Sequence, residues 1–168
     1  MIEIDIAAVL IRAIIGVVMI AHGWNHLARG GKISGTARWF GSIGLRQPLG
    51  QAWMSVITEI VGGVLLLLGL ITSVAAAGVV GVMAVAGLAY HRGRGFFIVK
   101  EGWEYVLTLA VVASALGALG PGRLSLDHAI GIDTALDGWV GLAVAAGGGL
   151  LGALALLAVF WRPPRVTS

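Results

Sequence analysis

Six ionisable side chains stand in or beside apolar runs of this 168-residue chain: Arg12, His22, His26, Glu59, His91 and Glu104. In lipid such groups are costly unless paired or hydrated, so each is a candidate for chemistry. His22 and His26, in the stretch "HGWNH", are four apart and share a helix face. That spacing can chelate a metal, with Glu59 or Glu104 completing a two-histidine, one-carboxylate set, although the glutamate of an HExxH motif is absent. A neutral imidazole can instead hydrogen-bond a quinone carbonyl, and a buried glutamate can pass protons. A structural reading also stands, with Glu59 held by a histidine or by Thr58 and Asn25. Histidines on facing helices, such as His22 and His91, could ligate haem, but no attachment motif supports it.

The elements that must position these groups lie in a membrane. The chain is 58% hydrophobic and only 11% charged, with mean hydropathy +0.98. Soluble domains are about a quarter charged. Runs of about 20 apolar residues cross a hydrocarbon core of roughly 30 Å. Five spans are expected, at 6–28, 51–71, 74–91, 102–119 and 138–160. No basic segment precedes the first and no cleavage site follows it, so it reads as a retained helix. There are no cysteines, which removes disulfide, thiolate and iron–sulfur chemistry. A redox role therefore needs a partner protein or a bound cofactor.

The net charge of +3 reads as basic residues gathered on one membrane face, and nucleic acid is not expected as a partner. Arg29, Lys32, Arg38 and Arg46 follow span one, Arg92, Arg94 and Lys100 follow span three, and Arg162 and Arg165 follow span five. This places the N-terminus outside and the C-terminus in the cytoplasm of a multi-pass cell-membrane protein. Trp24, Trp39, Trp53, Trp103 and Trp161 then form a belt at the inner interface. Counting along the helices puts His22 about 8 Å from the inner end of span one, and Glu59 about 10–12 Å into span two. His22, His26, Glu59, His91 and Glu104 thus share one inner-leaflet layer. His22 is expected inside the bundle beside Glu59, with His26, His91 and Glu104 at the mouth. Arg12 stands apart, toward the outer half, pairing with Glu3, Asp5 or Asp127, or opening an anion or headgroup site.

The connector "KISGTARWFGSIGL" (32–45) is too short and polar to cross, and reads as an interfacial or re-entrant segment. The pair Gly148 and Gly152, with Gly62–Gly63 and Gly78–Gly81, suits close helix packing or a subunit interface.

The blocks "LIRAIIGVVMIAHGWNHL", "TEIVGGVLLLLGLIT", "HRGRGFF" and "GWEYVLTLAVVASALGALGPGRLSLD" resemble, in order and spacing, those of the DoxX family of small membrane proteins. The resemblance covers residues 6–128 and picks out Arg12, His22, Glu59, His91, Glu104, Arg123 and Asp127. It implies an all-α membrane protein: a four-helix transmembrane bundle in 1–128, then an acidic loop, a fifth helix and a basic tail in 129–168. His26 departs from the family's usual lysine, and the fifth span lies beyond its usual unit. DoxX relatives include a thiosulfate:quinone oxidoreductase subunit and a member of an oxidative-stress complex with superoxide dismutase and a sulfurtransferase. The expected function is a redox-associated membrane subunit, as part of an oxidoreductase complex whose own catalytic share stays open. Quinone is its candidate cofactor, with His22 and Glu59 as catalytic groups. His22, His26, Glu59, His91, Glu104 and Arg12 are the cofactor-binding set, and no metal is assigned. Its partners are the lipid bilayer and either other proteins or further copies of the chain. Alternatives are a non-enzymatic scaffold for redox or envelope proteins, and a small transporter or lipid-binding protein.

Overall fold

A computed structural model describes residues 2–164, so Arg165, counted among the basic residues after span five, lies outside the described residues. Five long helical rods run up and down: α1 (Ile2–Ala28), α3 (Pro48–Leu68), α4 (Thr72–Ala86), α5 (Glu104–Leu119) and α8 (Gly149–Phe160). Two of the rods are extended by π-helical turns. Gly87–His91 prolongs α4 into a 3-10 turn at Arg92–Arg94, and Ala143–Gly148 joins the short α7 (Gly138–Leu142) to α8. Four rods are long and apolar enough to cross a membrane: Ile2–Ala28, Pro48–Leu68, Thr72–Arg94 and Gly138–Phe160; α5 is a shorter apolar helix. The protein is an all-α, multi-pass membrane bundle.

The second span starts and stops three residues earlier than the apolar run suggests. Pro48 sits in the first turn of α3, where its fixed φ and missing N–H are harmless. Gly69, at φ +64°, ends the helix in the left-handed conformation that a glycine takes without strain.

α1 lies along α3, while α4 occupies the centre and packs on α3, α5 and α8. Ile15, Met19, Leu66, Val79, Val80 and Leu116 fill the core. The α1–α3 contact depends on missing side chains: a Cβ at Gly63 would lie 2.7 Å from the Gly16 carbonyl oxygen, and one at Gly16 would lie 2.8 Å from that of Gly63. Gly63→Ala is therefore expected to destabilise the protein by about 1–3 kcal/mol, the usual range for overpacking. Thermal unfolding in detergent checks this, and an unchanged midpoint would show that the two helices can part freely.

The connector forms its own helix, α2 (Lys32–Ser42), which packs on α1 and α3 and buries Thr36 and Ala37. The far end of α8 is fastened to it. Trp161 Nε1 donates to Ile43 O at 2.9 Å, Arg46 N to Phe160 O at 2.7 Å, and Arg162 N to Gly44 O at 2.8 Å. Arg92 lies 5.4 Å over the Trp161 ring. The alternation of the rods gathers five of the six tryptophans, all but Trp139, and most basic residues at this end, called here the basic end. At the opposite, acidic end, α6 (Leu126–Ala129) anchors the 120–137 loop. There the hydrogen bond from His128 at 2.6 Å holds the Asp133 carboxyl below the usual carboxylate range.

Candidate functional site

α3 carries Gln51, Ser55 and Glu59 at four-residue spacing, so all three project from one face. That face borders a cleft of about 410 Å³. The central helix α4 forms its floor with Ala77, Gly78, Gly81, Val82 and Val85. Gly148, Gly152 and Leu156 form the wall opposite α3, and Trp39, Phe40, Ile43 and Leu45 close the basic end beside Tyr90. Its size suits a small lipophilic ligand, and its lining is apolar except for a few convergent polar groups, as ligand sites tend to be.

Glu59 is the deepest of those polar groups. It lies eleven residues past Pro48, roughly 16 Å along a helix about 31 Å long, which is mid-helix rather than near its start. Only 3% of it is exposed. Oε1 accepts from Ser55 Oγ at 2.8 Å, whereas Oε2 is buried with no hydrogen-bond partner. His26 Nε2 approaches Oε1 to 3.9 Å, beyond hydrogen-bond reach. The imidazole is held from behind: Thr36 Oγ1 lies 3.5 Å from Nδ1 and donates to the His26 carbonyl at 2.9 Å. Its ring stacks on Trp39 and meets Phe40 edge-on. The aromatic row continues from Trp39 to Tyr90, whose hydroxyl donates to Glu101 at 3.1 Å with the Arg94 guanidinium 4.1 Å from its ring centroid.

The other expected site residues go elsewhere. The pairing of His22 with Glu59 does not form; His26 takes that place. Gly23 is the residue of α1 that faces Glu59 and Ile60. At about 100° per residue, His26 lies some 60° around the helix from Gly23 and His22 some 100°. His22 is exposed and stacks on Tyr105, at 6.0 Å between rings. His91 and Glu104 do not line the cleft, because the 95–103 loop uses both. His91 Nδ1 lies 2.6 Å from the Glu101 carbonyl, and Glu104 Oε2 accepts from Ile98 N at 2.9 Å. Arg12, 2% exposed, lies toward the acidic end, where it donates to Leu124 O at 2.6 Å and Leu66 O at 3.4 Å. It does not line the cleft. Among the described residues no group of three or more His, Asp or Glu side chains converges to hold a metal.

Sequence reasoning missed Gln51, Ser55 and Tyr90 as lining residues. The signal for the first two was available, since Gln51, Ser55 and Glu59 form a polar stripe at helical spacing in an otherwise apolar span.

A family model described as DoxX matches residues 7–92. The chain belongs to the DoxX family. It is also similar to a Bacillus subtilis (strain 168) protein named "Putative oxidoreductase CatD", with 32% identity over 124 residues, 73% of this chain and 86% of that one. No solved structure matches it. The DoxX match contains the α1, α2, α3 and α4 sides of the cleft, with His26, Glu59 and Tyr90, whereas the wall built by Gly148, Gly152 and Leu156 lies beyond it.

Proposed function

We propose that this DoxX protein is a redox-associated membrane subunit whose cleft binds a quinone or similar lipophilic carrier. Family membership and the oxidoreductase name of the Bacillus subtilis relative support the redox setting. The observation that carries the ligand is the Oε2 atom of Glu59, buried without a partner beside an apolar cleft. Leaving such an atom unpaired costs about 1–3 kcal/mol, a cost that a ligand's hydrogen bond would remove. The donor set fits a carbonyl or hydroxyl head: a carboxyl that can accept or donate, a histidine with a ring N–H, and the Gln51 amide. When bound, the carrier supplies two-electron, two-proton chemistry. Glu59 and His26 hold the head and exchange its protons, and Thr36 fixes the imidazole's orientation.

In this reading the site narrows to His26, Glu59 and Gln51. His22, His91, Glu104 and Arg12 support the helices and loops around it. Residues 1–128 form the four-helix unit, and 129–168 add the wall that completes the cleft. The basic end lies in the cytoplasm. The chain has no cysteine, so electrons enter from a partner protein or another bound carrier.

Binding is measured by quenching of tryptophan fluorescence, for which Trp39 at the cleft is a natural reporter. His26→Ala is expected to weaken quinone binding about 5- to 30-fold, worth roughly 1–2 kcal/mol. His26→Gln, which keeps a donor, should recover part of the loss. Purified protein that retains no quinone and binds none when it is added would sink the proposal.

A further inference from the structure

The cleft has an opening that its polar end does not explain. α4 packs on both α3 and α8, but α3 and α8 are not packed against each other among the described residues, so a slot runs between them over α4. Gly149 is spent on packing, since its Cβ would lie 2.6 Å from Ala77 O. Gly148 and Gly152 line the slot instead, and a Cβ at Gly152 would meet nothing within 4 Å. Two unpartnered polar groups stand in the same cleft, each more than nine-tenths buried. They are Glu59 Oε2 and the side chain of Gln51, which has no hydrogen-bond partner among the described residues.

Resting on the reading above, we propose that this slot is the tail channel of the carrier. The head sits at Glu59, and a single linear isoprenoid chain leaves sideways across Gly152 into the surrounding lipid. The lining chemistry selects this class of ligand. No lysine or arginine lines the cleft, and Glu59 does, so a phosphate headgroup has no counter-charge there. An uncharged head that accepts and donates hydrogen bonds matches Glu59, Gln51 and His26 together. A volume of about 410 Å³ that must also hold a ring leaves room for the beginning of one chain, not the two of a phospholipid. Lipid tails are as apolar as the slot, so the chain gains little affinity from the channel. The channel matters as an exit, and closing it acts by exclusion.

The test plugs the slot and compares two quinones with the same ring, one carrying several isoprene units and one carrying none. Binding of each is measured to the full chain in detergent, for wild type, Gly152→Leu and Gly147→Leu. Gly147 also has open space at its Cβ but does not line the cleft, so its variant controls for the substitution itself. Gly152→Leu is expected to weaken the tailed quinone at least tenfold and to leave the tailless one within twofold, which also shows that the variant is folded. Gly147→Leu should change neither. If Gly152→Leu weakens both equally, or neither, the channel is overturned while the quinone reading stands. Wild-type binding of the tailless quinone alone overturns it too. Wild type that binds neither quinone overturns the quinone reading, and the channel with it.

Discussion

Replacing Glu59 with methionine is expected to give a protein that unfolds at a higher temperature and no longer binds a quinone. The two effects have one origin. Glu59 is 3% exposed, and of its two carboxyl oxygens only Oε1 has a hydrogen bond, from Ser55 at 2.8 Å. Oε2 has none, and His26 stops at 3.9 Å from Oε1. A buried polar atom in that state costs about 1–3 kcal/mol, and an apolar residue of similar volume removes the cost without opening a cavity. Ser55 loses its acceptor, but a helical serine can turn its hydroxyl to the carbonyl four residues earlier. The net expectation is a gain of about 1–2 kcal/mol in stability with ligand binding abolished, the usual trade between stability and function at a site. Thermal unfolding and quinone titration on the same preparation check both halves. A methionine variant less stable than wild type would mean that the carboxylate serves the fold, and the functional reading of Glu59 would fall.

The membrane bundle was legible because low charge and long apolar runs admit few other architectures. Helix ends were less so: α3 already begins at Pro48, ahead of the apolar run, and Gly69 stops it before that run ends. The π-helical turns left no trace at all. "GLAYH" and "AVAAGG" contain no proline and no residue type that sets them apart from the α-helical turns beside them. The polar layer shows the same divide. Depth along a helix can be counted, and His26 does come within 3.9 Å of Glu59. Rotation about the helix axis depends on which neighbour arrives, and that decided His26 over His22. The roles of His91 and Glu104 were hidden because the 95–103 loop recruits both, and a loop's hydrogen-bond needs cannot be read before its path is known.

The largest loss of stability is expected far from the cleft, at Asp127. This carboxylate is 4% exposed and sits at the start of α4, where the backbone N–H groups of a helix have no partners of their own. Oδ1 accepts from Ile71 N at 2.6 Å, and Oδ2 accepts from Thr72 N at 3.0 Å and Thr72 Oγ1 at 2.8 Å. Its negative charge complements the helix dipole and lies within electrostatic reach of Arg12. Arg12 in turn ties Leu66 O, near the end of α3, to Leu124 O in the loop. Gly69 makes room for this, because a Cβ there would overlap the guanidinium. Asp127→Ala therefore strips the buried Thr72 N–H and hydroxyl and the partly buried Ile71 N–H of their acceptor, and removes a negative charge from the surroundings of Arg12. Each buried donor left without an acceptor costs about 1–3 kcal/mol, so the loss of this cap is expected to be the largest single effect. Removing both partners should cost less than the sum of the single losses, since neither charge is then stranded. A double-mutant cycle of Arg12→Met and Asp127→Ala, read by thermal unfolding, should show a coupling of about 1–3 kcal/mol. Additivity within about 0.5 kcal/mol would mean that the two residues act separately. The helix cap at α4 would then be the whole of what Asp127 contributes.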